Sequence, residues 1–132
     1  RDAYCVKLAS DQSSTAQISG IPEGYSMLTA GELNDISCNR IQTFLPKFKS
    51  APAPNPGVGD WSIWPELMAS SSLDGSPDSA MCFLTESGFG TSSSALLALP
   101  SIDSALHEPP ARVEWKFASG PPDSSPYERI LI

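Results

Sequence analysis

Basic side chains are scarce in this chain: 8 Lys and Arg stand against 15 Asp and Glu, leaving a net charge of −7. Non-specific binding to nucleic acid or to an anionic membrane needs concentrated cations to neutralise phosphates, so both partner classes are excluded. The acidity itself reads as ordinary solubility. Histidine occurs once, at His107, and cysteine three times, at Cys5, Cys38 and Cys82, with no Cys-x-x-Cys pair. That inventory excludes a zinc site built within the chain. An odd number of widely spaced thiols fits a reducing cytoplasm better than a secreted disulfide scaffold. No apolar run approaches the roughly 18 residues that a membrane-spanning helix requires, and no signal-peptide pattern is present. The first residue is Arg1 rather than Met, so the expectation is a fragment or a processed chain. A terminal Cys, Ser or Thr, which autoprocessing would leave as a nucleophile, does not stand there.

What the chain does have is 132 residues, enough for one domain with a real core, and 13 prolines, which predict many ordered loops. Its organising stretch runs from Ser79 to Ala118. The apolar run Ala80–Thr85 leads into a turn marked by Gly88 and Gly90, and Ala95–Leu99 returns from it, which reads as a hairpin. In Arg112–Ala118 the apolar Val113, Trp115 and Phe117 alternate with charged residues, the period of a strand with one buried face. Three strands in about forty residues predict a central antiparallel sheet. Upstream, Tyr4–Leu8, Thr15–Ser19 and Tyr25–Thr29 read as short strands, with a polar turn at Asp11–Ser14. Ile41, Phe44, Leu45 and Phe48 fall at i, i+3, i+4 and i+7, one apolar face of a helix capped by Asp35 or Ser37. Pro46 predicts a kink in that helix or its end near Leu45. After a proline-rich connector, Asp60 or Ser62 caps a second helix bearing Trp61, Trp64, Leu67 and Met68, with Pro65 in its first turn. The paired tryptophans read as core packing or, more sharply, as a stacking surface for a flat ligand. Tyr127–Ile132 is an apolar tail expected to pack on the body.

Catalytic patterns are thin. Ser92, Ser93 or Ser94 with His107 and Asp103 compose a triad on paper, but no Gly-x-Ser-x-Gly elbow is present and His107 reads as a solvent-exposed loop residue. Gly88-Phe89-Gly90-Thr91 lacks the Gly-Lys-Ser/Thr of a phosphate loop and precedes a strand rather than a helix. Asp35, Glu66, Asp78 and Glu86 show no spacing of a catalytic pair. The densest polar group beside the apolar sheet is Thr91–Ser94, of which alternation turns two inward, where their hydroxyls need partners.

The serial order of motifs resembles a known family. Met27-Leu28-Thr29-Ala30 is followed by Asn34-Asp35, then Arg40 and Leu45-Pro46-Lys47-Phe48, then Gly59-Asp60-Trp61 with Trp64. Next come Gly88-Phe89-Gly90-Thr91 with its serines and aliphatic strand, and the tryptophan strand ending in Gly120-Pro121-Pro122-Asp123. From about Tyr25 onward this is similar to the C-terminal half of the NRDE family, also called the transport and Golgi organisation 2 family. The resemblance implies an α+β fold: an antiparallel sheet with packed helices, half of an αββα sandwich like that of N-terminal-nucleophile hydrolases. In the family the nucleophilic cysteine and the Asn-Arg-Asp-Glu motif belong to the N-terminal half, so the chain carries no catalytic or metal residues of its own. Its expected partner is that N-terminal half. The resemblance further implies cytoplasmic, non-catalytic handling of a hydrophobic ligand, haem or a metabolite. The cofactor itself is left open. The candidate ligand contacts are Thr91, Ser92 and Ser93 at the turn and Asn34 and Asp35 before the first helix. An amide hydrolase completed by the other half, and a structural or interaction domain, are the alternatives.

Overall fold

The computed structural model describes residues 3–8, 15–71, 76–106, 108 and 110–131. It is a mixed α+β fold with two small antiparallel sheets and a few short helices. The polar turn expected at Asp11–Ser14 and the single histidine, His107, lie outside the described residues.

The first sheet is a hairpin of β1 (Ala3–Leu8) and β2 (Ala16–Ile21). Val6 stands opposite Ile18, Tyr4 opposite Gly20 and Leu8 opposite Ala16, so these residues share one face. That face is apolar yet open: Tyr4, Val6, Leu8 and Ile18 are 60, 65, 72 and 69% exposed. Lys7, on the other face, pairs with Glu32 in the following loop. The third extended segment, Tyr25–Thr29, joins no ladder. Its Met27 N–H and C=O are both taken by Asn34, through the side-chain Oδ1 (2.8 Å) and the backbone N–H (2.9 Å). A backbone satisfied locally has no groups left for a neighbouring strand.

Helix α1 (Asn39–Ser50) buries Ile41 and Phe44 and half-buries Leu45 and Phe48, the face that the i, i+3, i+4, i+7 spacing marks. Two expectations are corrected here. The helix does not end near Leu45 but runs on to Ser50, with the Ala51 N–H closing it on the Lys47 carbonyl (3.0 Å). Pro46 and Gln42 are both exposed, so water can meet the Gln42 carbonyl that loses its partner, while Phe44 and Phe48 pack on either side of Pro46. The N-cap is Cys38, not Asp35 or Ser37. Asp35 instead closes its own turn, its Oδ1 accepting from the Ser37 hydroxyl (2.7 Å) and the Ser37 N–H (2.9 Å).

The second helix, α2, is one turn, Trp64–Met68, with Ile63 at its N-cap and Pro65 in its first turn. Neither Asp60 nor Ser62 caps it, and Trp61 precedes it. Asp60 Oδ1 accepts from the Ser62 N–H (2.7 Å), and Ser62 sits at φ +55°, a turn that parts Trp61 from the helix. A short helix not foreseen in the sequence, α3 (Ile102–Leu106), follows the second sheet's first strand.

That second sheet orders β3 (Ser94–Ala98), β4 (Glu114–Ala118) and β5 (Glu128–Arg129) side by side. The predicted hairpin of Ala80–Thr85 with Ala95–Leu99 does not form. Residues 83–85 fold back at once onto 89–91, with Thr91 N–H to Phe83 O at 2.9 Å and Thr85 N–H to Phe89 O at 2.8 Å. Gly90 permits this, since a Cβ there would lie 2.3 Å from the Phe83 carbonyl oxygen. With its hydrogen bonds spent in so tight a turn, the Ala80–Thr85 run leaves β3 to pair with β4. Both faces of β4 are partly covered, Glu114 and Lys116 included, and the tail continues along its edge, where Ile130 N–H reaches Trp115 O (2.9 Å) and Arg129 bonds Glu114 (2.6 Å). The buried core comprises Ile41, Phe44, Ala51, Trp61, Ala80, Cys82, Leu96 and Ala118. Among the described residues no helix is long and apolar enough to cross a membrane.

Candidate functional site

A cleft of about 360 Å³ opens between the two main helices and β3. Each wall has a local cause. From α1 come Leu45 and Phe48, the half-buried end of its apolar face. Trp61, Trp64 and Met68 form a second wall, with the Trp64 ring edge-on to Phe48 (centroids 5.2 Å apart) and tilted against Tyr25 (6.3 Å). The 25–28 loop brings Met27, and β3 brings Ala95, Leu96 and Leu97. Met81 completes the lining. Among the described residues no charged side chain lines the cleft. All three methionines of the chain, Met27, Met68 and Met81, meet there from separate segments. Flexible, polarizable thioethers beside aromatic rings make a surface that adapts to flat apolar guests.

The loops that carry these methionines are braced from outside. Arg40 on α1 donates from Nη2 to the Pro77 carbonyl (2.8 Å) and from Nε to the Ala80 carbonyl, and its guanidinium lies 5.4 Å from the Phe83 ring centroid. This clamp holds the segment bearing Met81 against the helix. The predicted site residues Thr91 and Asn34 act in the same way. The Thr91 hydroxyl donates to the Met81 carbonyl and accepts from the Phe83 N–H, both at 3.3 Å. Asn34, at φ +57°, pins Met27 through both backbone groups and donates from Nδ2 to the Ser26 hydroxyl (3.2 Å). Ser92 and Ser93 are exposed on the lead-in to β3, and Asp35 is engaged with Ser37, a bond that holds its carboxyl below the ordinary range. None of the five lines the cleft. Of the residues that do, the sequence marked Leu45, Phe48, Trp61, Trp64 and Met68 on helical faces and Met27 and Leu28 in the motif order; no sequence signal brought them to one cavity.

The two inward hydroxyls are Thr91 and Ser94, three positions apart and so not the pair that alternation gives, because residues 91–93 precede β3. Ser94 is buried, with its Oγ 2.6 Å from the Tyr127 hydroxyl, and burial pushes the Tyr127 phenol up. Burial likewise raises the Cys82 thiol. Cys38 differs: the nearby Ile41 amide, then the Thr29 hydroxyl, hold its thiol below the ordinary value. Cys5, Cys38 and Cys82 are all free thiols. Among the described residues no group of three or more His, Cys, Asp and Glu side chains is placed to hold a metal ion.

Haem, which the NRDE resemblance implies as a candidate, fits this cleft poorly. Haem iron takes His, Cys, Tyr or a Met–His pair as axial ligands. Among the described residues the lining offers three thioethers and the Tyr25 phenol, with neither histidine nor cysteine. Its volume also stands at the small end of ligand pockets, which run from about 300 to 1,000 Å³. The arrangement suits a smaller aromatic or aliphatic guest. No protein-family model, curated protein or solved structure matches the chain at a significant level.

Proposed function

We propose that this chain is a non-catalytic ligand handler that takes a small, flat apolar metabolite into the cleft between α1, α2 and β3. The observation that carries the reading is the convergence of four aromatic rings and all three methionines on one uncharged cavity. The order of motifs that resembles the C-terminal half of an NRDE-type domain, a layered fold like that of N-terminal-nucleophile hydrolases, supports the same class of function. On this reading an N-terminal half supplies a further layer. The open apolar face of β1 and β2 supports such a partner, since surface of that kind is ordinarily covered. The three free thiols support a reducing, cytoplasmic setting.

The test is a titration with the neutral dye N-phenyl-1-naphthylamine, followed by transfer of tryptophan fluorescence to the dye. One saturable site is expected. Ala95, exposed on β3 and lining the cleft, offers a substitution that fills the space without touching the core. Ala95→Phe is expected to weaken the dye at least tenfold while the unfolding midpoint is kept. Equal affinity in Ala95→Phe would place the dye elsewhere and remove the proposal.

A further inference from the structure

Three of the chain's eight cations, Arg112, Lys116 and Arg129, gather where β4 meets β5. Lys116 stands directly opposite Arg129 in the register. Glu114, two residues before Lys116 and so on the same face, accepts from Arg129 Nη2 at 2.6 Å. Arg112 lies just ahead of β4 and shares with Arg129 a cavity of about 330 Å³, completed by Val113, Ile130 and Leu131. Among the described residues Glu114 is the one carboxylate bonded to any of the three cations. Its side chain is 17% exposed and that of Arg129 56%, so a covered carboxylate fixes an open guanidinium by one of its five N–H groups. One carboxylate cannot neutralise three cations, and the surplus stands in a chain whose net charge is −7. Protection of a sheet edge accounts for a charge on β5, but not for two guanidiniums on one cavity.

We propose that this cavity is a second binding site, for a small organic oxyanion. A carboxylate or phosphate group is held by the Arg112 and Arg129 guanidiniums, whose planar forks match the oxygens of either. The short apolar body that carries it rests against Val113, Ile130 and Leu131. A polyanion fits worse, because the acidic remainder of the chain repels an extended run of phosphates while a small anion meets just the local surplus. This cavity and the cleft share no residue, so the proposal goes beyond the ligand-handling reading and does not rest on it.

Benzoate and phenyl phosphate supply the two anions on one aromatic body, and benzamide is their neutral counterpart. Binding is followed in ¹⁵N-labelled protein by the arginine Nε–H resonances, assigned with Arg112→Gln and Arg129→Gln. At least one anion is expected to saturate and to move the Arg112 and Arg129 resonances along a single curve, with benzamide weaker by about tenfold or more. The tighter of the two anions identifies the headgroup. Arg112 is exposed and holds no hydrogen bond or ion pair among the described residues, so its replacement spares the fold. Arg112→Gln is expected to weaken the anion about tenfold, the worth of a hydrogen bond to a charged group, with the unfolding midpoint kept. Neither anion saturating, benzamide matching them, or an unchanged affinity in Arg112→Gln would overturn the proposal and leave the cleft reading standing.

Discussion

A methyl group at position 90 would sit 2.3 Å from the Phe83 carbonyl oxygen and 2.9 Å from the Leu84 Cα, whereas one at position 88 would meet nothing within 4 Å. The two glycines of the Gly-Phe-Gly turn are therefore needed for different reasons. Gly88 is there for its φ of +84°, and Gly90 for the close approach of two backbones. Gly88→Ala is expected to cost ~1 kcal/mol. Gly90→Ala must spread the turn that holds Thr91 under Met81, and about 2–4 kcal/mol is expected. Urea unfolding of the two variants checks the order, and a smaller loss for Gly90→Ala would contradict it. At the same scale, the thiols divide by environment. Cys38, held low by the Ile41 amide and the Thr29 hydroxyl, gains thiolate at lower pH than the same residue in the unfolded chain. Its iodoacetamide alkylation is expected to rise at a pH below that of the urea-denatured protein. Cys82, buried and with its thiol pushed up, is expected to react only on unfolding. Peptide mapping that found Cys82 alkylated first would refute this assignment.

Elements were legible where their signal was local. The alternation in β4 and the helical spacing from Ile41 to Phe48 both name real elements because each residue reports on its own neighbours. Pairing is not local. Nothing in the composition of Ala80–Thr85 distinguishes a strand that reaches β3 from a run that turns back on residues 89–91; the Phe83–Thr91 bond does. Proline misled for a related reason, since its cost depends on whether the orphaned carbonyl can reach water. Pro46 lies on the exposed side of α1, so Pro46→Ala restores a helical hydrogen bond and loses no packing. It is expected to stabilise the protein by roughly 1–3 kcal/mol, read as a higher urea midpoint. A lower midpoint would mean that the ring makes a contact worth more than the bond. The β1–β2 hairpin stands at the other extreme. A two-stranded sheet with an open apolar face has little to hold it. Hydrogen exchange in residues 3–8 and 16–21 is expected to be the fastest of any strand pair, well ahead of α1 and β3–β4. Protection equal to that of α1 would show the hairpin to be covered.

At the scale of the whole molecule, the cleft is a product of tertiary convergence, which explains why the predicted contacts fell beside it rather than in it. Asn34 and Thr91 were marked by polarity and motif order, and the structure gives them the bracing of Met27 and Met81. The methionines lie in three separate segments, Met27 and Met81 being 54 residues apart, so no local pattern joins them. They also furnish the most direct test of the central claim, because the chain holds just these three and all line the cavity. The measurement is methyl NMR of protein labelled at the methionine methyl carbons, each resonance assigned by a Met→Leu variant, during titration with 2-acetylnaphthalene. The account predicts that all three resonances shift together along one saturation curve. Shifts confined to one methyl, or three curves with different midpoints, would contradict a single cleft built from three segments.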